Sequence, residues 1–236
     1  MKKIICLILA LATMFIFVSC GECETHVDEN KDGICDECEA AVEVPGAAIF
    51  AMAKEADPTM ISTIVAVTRG DVSFTSNYTT SVYSAEDFVH EYTIQRPAGL
   101  DDDTDKAYIE TTAKVTYKSG VYTYSELVNG AYTEPAVMNE APVVEYLYVT
   151  NNINSTNVTN FTIDKSGKIM KATITKEQCE AIFGITVDVE GDIALTITTN
   201  GVRLANVSLA YTRTDGTIIT SETSYSYAPL STDSVD

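Results

Sequence analysis

The chain has no tryptophan and only two histidines, His26 and His90. Without the largest aromatic face, stacking on sugar rings is disfavoured. His26 lies in the N-terminal tail, and His90, in Glu86-Asp-Phe-Val-His90-Glu91, has acids beside it but no Cys or Ser. The familiar nucleophile and base arrangements therefore lack their parts. There is also no G-x-S-x-G, no glycine-rich phosphate loop and no H-E-x-x-H. No enzyme is expected, and His90 is read as a surface strand residue. Basic residues are scarce too: 15 Lys and Arg stand against 34 Asp and Glu, a formal charge of −19. Such a surface repels nucleic acid and anionic headgroups, both polyanions. Cysteines are few and unevenly placed, with Cys23, Cys35 and Cys38 clustered and Cys179 alone far downstream. That is not the even, dispersed pattern of a disulfide-built domain.

What is present begins with an export signal. Lys2-Lys3 precede an apolar run from Ile4 to Val18, broken only by Thr13, and small Ser19 precedes Cys20. Residues 1–19 read as a signal peptide rather than a buried or spanning helix. Phe17-Val18-Ser19-Cys20-Gly21 resembles the lipobox of bacterial lipoproteins, with Phe17 where Leu is usual. The resemblance implies cleavage before Cys20 and attachment of a diacylglycerol to its sulfur. Each buried methylene contributes roughly 0.8 kcal/mol, so two acyl chains hold where one would only visit. Loss of Lys2 and Lys3 takes the formal charge from −19 to −21. A plain secretory signal or an uncleaved helix is the alternative. The expected address is the extracytoplasmic face of the cell membrane, lipid-anchored.

Residues 20–46 form an acidic, Cys- and Asp-rich tether. With Asp28 as position 1, Asn30 falls at 3, Asp32 at 5, Gly33 at 6, Ile34 at 7, Asp36 at 9 and Glu39 at 12. These fill every ligand slot of a twelve-residue EF-hand-type loop. Side-chain oxygens stand at 1, 3 and 5, a glycine at the sharp turn, a backbone carbonyl at 7, and a bidentate Glu at 12. The flanking helices of an EF-hand are missing, so calcium should bind weakly, on the order of 10⁻⁴–10⁻³ M. Cys23-x₂-His26 and Cys35-x₂-Cys38 form a Cys₃His set suited to tetrahedral zinc. The same thiols could instead close one disulfide, and either cross-link would replace the absent helices. The remaining possibilities are a zinc site with solvating acids and a bare acidic spacer. The pattern C-x-x-H-x-D-x-N-x-D-G-x-C-D-x-C, complete from Cys23 to Cys38, resembles a short module of surface proteins in anaerobic, gut-type Gram-positive bacteria. That resemblance implies cation binding beside an anchor.

Residues 47–236 make one domain of ordinary size. Ala47 to Ala56 reads as a short helix, ended by Asp57-Pro58. From Ile61 the Thr, Val, Ile and Tyr content alternates with period two, which predicts strands. Arg69-Gly70-Asp71, Lys118-Ser119-Gly120, Asn129-Gly130, Asp164 to Gly167, Gly191-Asp192, Asn200-Gly201 and Asp215-Gly216 mark turns. Thr175-Lys-Glu-Gln178 is a capping box, and Gly184 stops the helix it opens. Cys179 inside that helix reads as a small core residue rather than a reactive thiol. Val143 to Val149 is strand or helix, with a lean to strand. Thr150 to Thr159 reads as an exposed loop, and Asp101 to Asp105 as a solvated acidic turn. The sequons at Asn154, Asn157 and Asn160 carry little meaning in a bacterial host.

The expected class is mainly β: an antiparallel, strongly curved, half-barrel-like sheet with two short helices. That order of elements behind a lipobox resembles the half-barrel of lipoprotein carriers and sensors related to the outer-membrane lipoprotein chaperone. The resemblance implies an apolar cavity that takes an acyl chain. Tyr117, Tyr122, Tyr124, Tyr225 and Tyr227 are candidates to line a groove, although half-buried sheet positions explain them equally. The expectation is thus a membrane-anchored binding lipoprotein for an apolar or lipid-like ligand or a protein partner, with a calcium loop beside the membrane. The alternative is a surface adhesion or structural protein that binds glycan or another chain.

Overall fold

The computed structural model describes residues 45–84, 86–98, 108–140, 150 and 152–230. The signal, Cys20 and the whole metal loop lie outside the described residues, as do Asp101 to Asp105 and Val143 to Val149. The chain divides into two compact units, Met1–Ala47 and Ala48–Asp236.

Among the described residues twelve strands build one antiparallel sheet. They are β1 Met60–Arg69, β2 Val72–Ser84, β3 Asp87–Pro97, β4 Tyr108–Lys118, β5 Val121–Val128, β6 Ala131–Tyr132, β7 Ala136–Val137, β8 Phe161–Ile163, β9 Ile169–Ile174, β10 Ile193–Thr199, β11 Leu204–Thr212 and β12 Ile218–Ser226. Helix α1 spans Ala47–Lys54 and α2 spans Lys176–Phe183. The order across the sheet is β6-β5-β4-β3-β2-β1-β12-β11-β10-β9-β8, with β7 also on β5. Among the described residues the sheet is open: β6 and β8 end the path and do not pair with each other. Two meanders, β1 to β5 and β8 to β12, join where β1 pairs β12 from Met60↔Ser226 to Thr68↔Ile218.

Turn chemistry sets the local pairings. Ser119 and Gly120 have φ of 50° and 85°, and Asn129 and Gly130 have 53° and 82°. Two successive positive φ angles give the primed turn whose twist matches that of its flanking strands. β4 and β5 therefore close at Lys118↔Val121, and β5 and β6 at Val128↔Ala131. The capping box forms as the sequence predicts: Thr175 Oγ1 accepts from the Gln178 amide, and the Gln178 side chain accepts from the Thr175 amide. Gly184 ends α2 with φ 69°, its N–H donating to the Glu180 carbonyl.

The main core sits under the second meander. Ile49, Phe50 and Ala53 of α1 and Cys179, Ile182 and Phe183 of α2 pack on Met170, Ile174, Ile193, Leu195, Ile197, Val207 and Leu209. Burying each of these larger aliphatic side chains contributes roughly 1.5–3 kcal/mol. Cys179 is fully buried, as expected of a core residue, and burial pushes its thiol up to about 11.

The loop at Thr150 to Thr159 is not simply exposed. Ile153 and Val158 are fully buried in the main core. Thr150 Oγ1 donates to the Ala53 carbonyl at 2.8 Å, and Asn154 Oδ1 accepts from the Thr156 and Asn157 amides. The polar majority satisfies a tight backbone while two apolar residues, five positions apart, plug into the core against α1.

Candidate functional site

Strand register builds one continuous face across the sheet, the face on which the helices pack. One row runs Ile163, Met170, Ile197, Val207, Thr223, Thr63, Tyr78, Tyr92 and Ala113. It changes character along its length. It is aliphatic on β8 to β11, hydroxylic at β12 and β1, and aromatic on β2 and β3. Thr63 and Thr223 are buried at the seam between the meanders, their Oγ1 atoms 2.9 Å apart. This side-chain hydrogen bond bridges the pairing that no local turn encodes.

A second, smaller cluster straddles that seam. Val65, Tyr78 and Ile219 form it, with Val67, Tyr92, Ile94 and Tyr211 packed against them. It takes no residue from α1 or α2. Further along the same face, Phe88, Tyr117 and Tyr122 associate, with ring centroids 5.3 Å apart for Phe88–Tyr117 and 4.5 Å for Tyr117–Tyr122. The expected tyrosines thus divide. Tyr117 and Tyr122 join this aromatic group, Tyr124 sits beside Val115 in register, Tyr225 enters the main core, and Tyr227 lies under Arg203.

His90 is not a surface residue, contrary to the sequence expectation. It is 3% exposed, faces the same side as Tyr78 and Tyr92, and has ring centroids 6.2 Å and 5.6 Å from theirs. The flanking Glu91 is exposed on the opposite face, as strand alternation requires. His90 Nδ1 lies 2.8 Å from Thr80 Oγ1. Burial pushes the imidazole down to about 4, so it is neutral at neutral pH. A base that weak takes a proton from Thr80 poorly. The pair satisfies two buried polar groups, which is a structural task.

Among the described residues no three His, Cys, Asp or Glu side chains gather as a metal site. No described helix is long and apolar enough to cross a membrane. The ligand set expected from sequence (Asp28, Asn30, Asp32, Ile34, Asp36 and Glu39 for calcium, Cys23, His26, Cys35 and Cys38 for zinc or a disulfide) lies wholly outside the described residues.

No protein-family model matches this chain, and no curated protein matches it in sequence. Among solved structures it is similar to LprF from Mycobacterium bovis, at 14% identity and TM-score 0.43, over 79% of this chain and 94% of that one. It is also similar to a LolA-superfamily protein from Nitrosomonas europaea, at 9% identity and TM-score 0.30, over 81% and 97%. A DUF1329 family protein from Desulfovibrio piger stands at 11% identity and TM-score 0.30, over 79% and 95%. These likenesses are loose, and no residue role is carried over from them.

Proposed function

We propose that this chain is a lipid-anchored, extracytoplasmic binding protein whose sheet takes an apolar, lipid-like ligand. The observation that supports this reading best is the second cluster. Val67 and Ile94, half-buried against buried Val65, Tyr78 and Ile219, carry apolar surface on the part of the face to which neither described helix contributes. A core built only for stability would gather its apolar residues under the helices, as β9 to β11 do. Instead the face continues past a hydroxyl seam into aliphatic and aromatic side chains. Ligand sites are mostly apolar and hold a few placed polar groups, and this half of the sheet has that composition.

A fluorescent fatty-acid probe such as cis-parinaric acid tests it. Val67→Glu and Ile94→Glu are expected to weaken probe binding by about tenfold or more, because a charge is placed on the apolar face. Ile64→Glu, on the exposed opposite face, is expected to leave it unchanged. No probe binding by the unaltered chain, or equal loss in all three variants, would refute the reading.

The anchor and the ion are part of the same proposal. Cys20 carries the diacylglycerol, so a Cys20→Ser chain should move from the membrane fraction to the soluble one. A variant that stays with the membrane would refute the anchor. Residues 28–39 hold calcium through Asp28, Asn30, Asp32, Ile34, Asp36 and Glu39, while Cys23, His26, Cys35 and Cys38 bind zinc or cross-link the loop. Calorimetry with each ion separately tests this. Heat from Ca²⁺ is expected on the order of 10⁻⁴–10⁻³ M, and no heat from either ion would end both assignments. No catalytic role is assigned to any residue.

A further inference from the structure

A cleft of about 280 Å³ opens where the C-terminal end of α1 meets the start of β11 and the end of β12. Met52, Glu55, Asp57, Val202, Arg203 and Tyr227 are among the residues that line it. Ligand pockets generally run from roughly 300 to 1,000 Å³, so this one suits a molecule no larger than an amino acid or a lipid headgroup.

Two features mark it as more than a surface dent. The Tyr227 ring lines it, while the hydroxyl is shut from solvent and has no hydrogen-bond partner among the described residues. The Arg203 guanidinium lies 4.8 Å from the Tyr227 ring centroid. It has no carboxylate within ion-pair distance among the described residues, in a chain with more than twice as many acids as bases. A guanidinium in such surroundings ordinarily takes a carboxylate. Here it stacks on an aromatic face and keeps its N–H donors.

The charges around the cleft define what fits. The Arg203 guanidinium, held over the Tyr227 ring, donates, so it calls for acceptor oxygens on an anionic group. Glu55 and Asp57 would repel a plain anion and call for a positive group beside it. The last carbonyls of α1 add to this, because a helix C-terminus carries partial negative charge. Burial and the nearby Asp57 raise the Tyr227 phenol above its ordinary value, although Arg203 opposes them. Tyr227 therefore stays protonated and uncharged beneath Arg203.

We propose that this cleft binds a small zwitterion, its anionic oxygens on Arg203 and its ammonium on Glu55 and Asp57. The site is separate from the apolar half of the sheet, and either reading can fail without the other. The chemistry is shared by a free metabolite and by the headgroup of a phosphatidylethanolamine.

Titration of the full chain with O-phosphoethanolamine, inorganic phosphate and ethanolamine, followed by calorimetry or amide NMR, tests the pairing of charges. The zwitterion is expected to bind and to outcompete both half-ligands. Arg203→Ala should weaken it by about tenfold or more, as loss of a charge-assisted hydrogen bond predicts, whereas Tyr227→Phe, which keeps the ring under Arg203, should change it little. Arg213→Ala, which removes a guanidinium paired with Asp188 elsewhere, should change nothing. A second arm uses phosphatidylethanolamine vesicles. Arg203-dependent binding to them identifies a lipid headgroup, whereas binding of the free compound alone identifies a soluble ligand. Three outcomes would overturn the proposal: no saturable binding of phosphoethanolamine free or in vesicles, phosphate binding as tightly as the zwitterion, or equal loss in Arg203→Ala and Arg213→Ala.

Discussion

At neutral pH the His90 ring is uncharged, held against Thr80 Oγ1 at 2.8 Å between Tyr78 and Tyr92. Its folded value, near 4, lies below the ordinary 6.5 of an unfolded histidine. The unfolded chain therefore binds more protons than the folded one between those limits. Stability is full above pH 6.5 and falls as pH drops toward 4, by roughly 2 kcal/mol once residual solvation of the ring is allowed for. Urea unfolding across that window should show the slope, and His90→Phe should flatten it. An unchanged slope would place the acid sensitivity elsewhere. His90 was misread because Glu86, Asp87 and Glu91 surround it in sequence. Strand alternation was the available signal: Phe88, His90 and Tyr92 share a parity, and Glu91 has the other. Tyr227 gives a second test at this scale. Removing an unpartnered buried hydroxyl costs no hydrogen bond, so Tyr227→Phe should leave stability unchanged or raise it by up to about 1 kcal/mol. Substantial destabilisation in thermal melts would mean that the hydroxyl is bonded within the fold.

The elements most legible in the sequence were those with short-range chemistry. Thr175 and Gln178 form the reciprocal cap, and Gly184 takes the left-handed conformation that ends α2. Thr175→Ala should cost about 1 kcal/mol by leaving helix amides unpaired. Gly184→Ala should cost a similar amount, about 1 kcal/mol, from the φ of 69° alone. Open space surrounds the added methyl, so no clash contributes. Chemical denaturation of both variants checks these values, and a neutral Gly184→Ala would show that α2 ends differently in solution. The two-residue elements β6 and β7 left no readable pattern, because periodicity needs more positions than they have. Ile153 and Val158 were hidden for a different reason. Each is a lone apolar residue in an Asn- and Thr-rich run, and only the position of α1 makes it core.

Across the whole molecule, the antiparallel meanders followed from turn residues, but their joining did not. The β1–β12 ladder links residues about 160 positions apart, and no turn specifies it. It depends on the shared face and on the Thr63–Thr223 hydrogen bond at the seam. That joining sets the aliphatic core and the Val65, Tyr78 and Ile219 cluster side by side on one open sheet. It also sets out the apolar face on which the proposed binding role rests. Native mass spectrometry of the full chain extracted from membranes tests that role most directly. A co-purifying acyl species, retained by the unaltered chain and lost from Val67→Glu, is the expected result. An unliganded mass alone, persisting after incubation with lipid vesicles, would contradict an apolar-ligand role for the sheet.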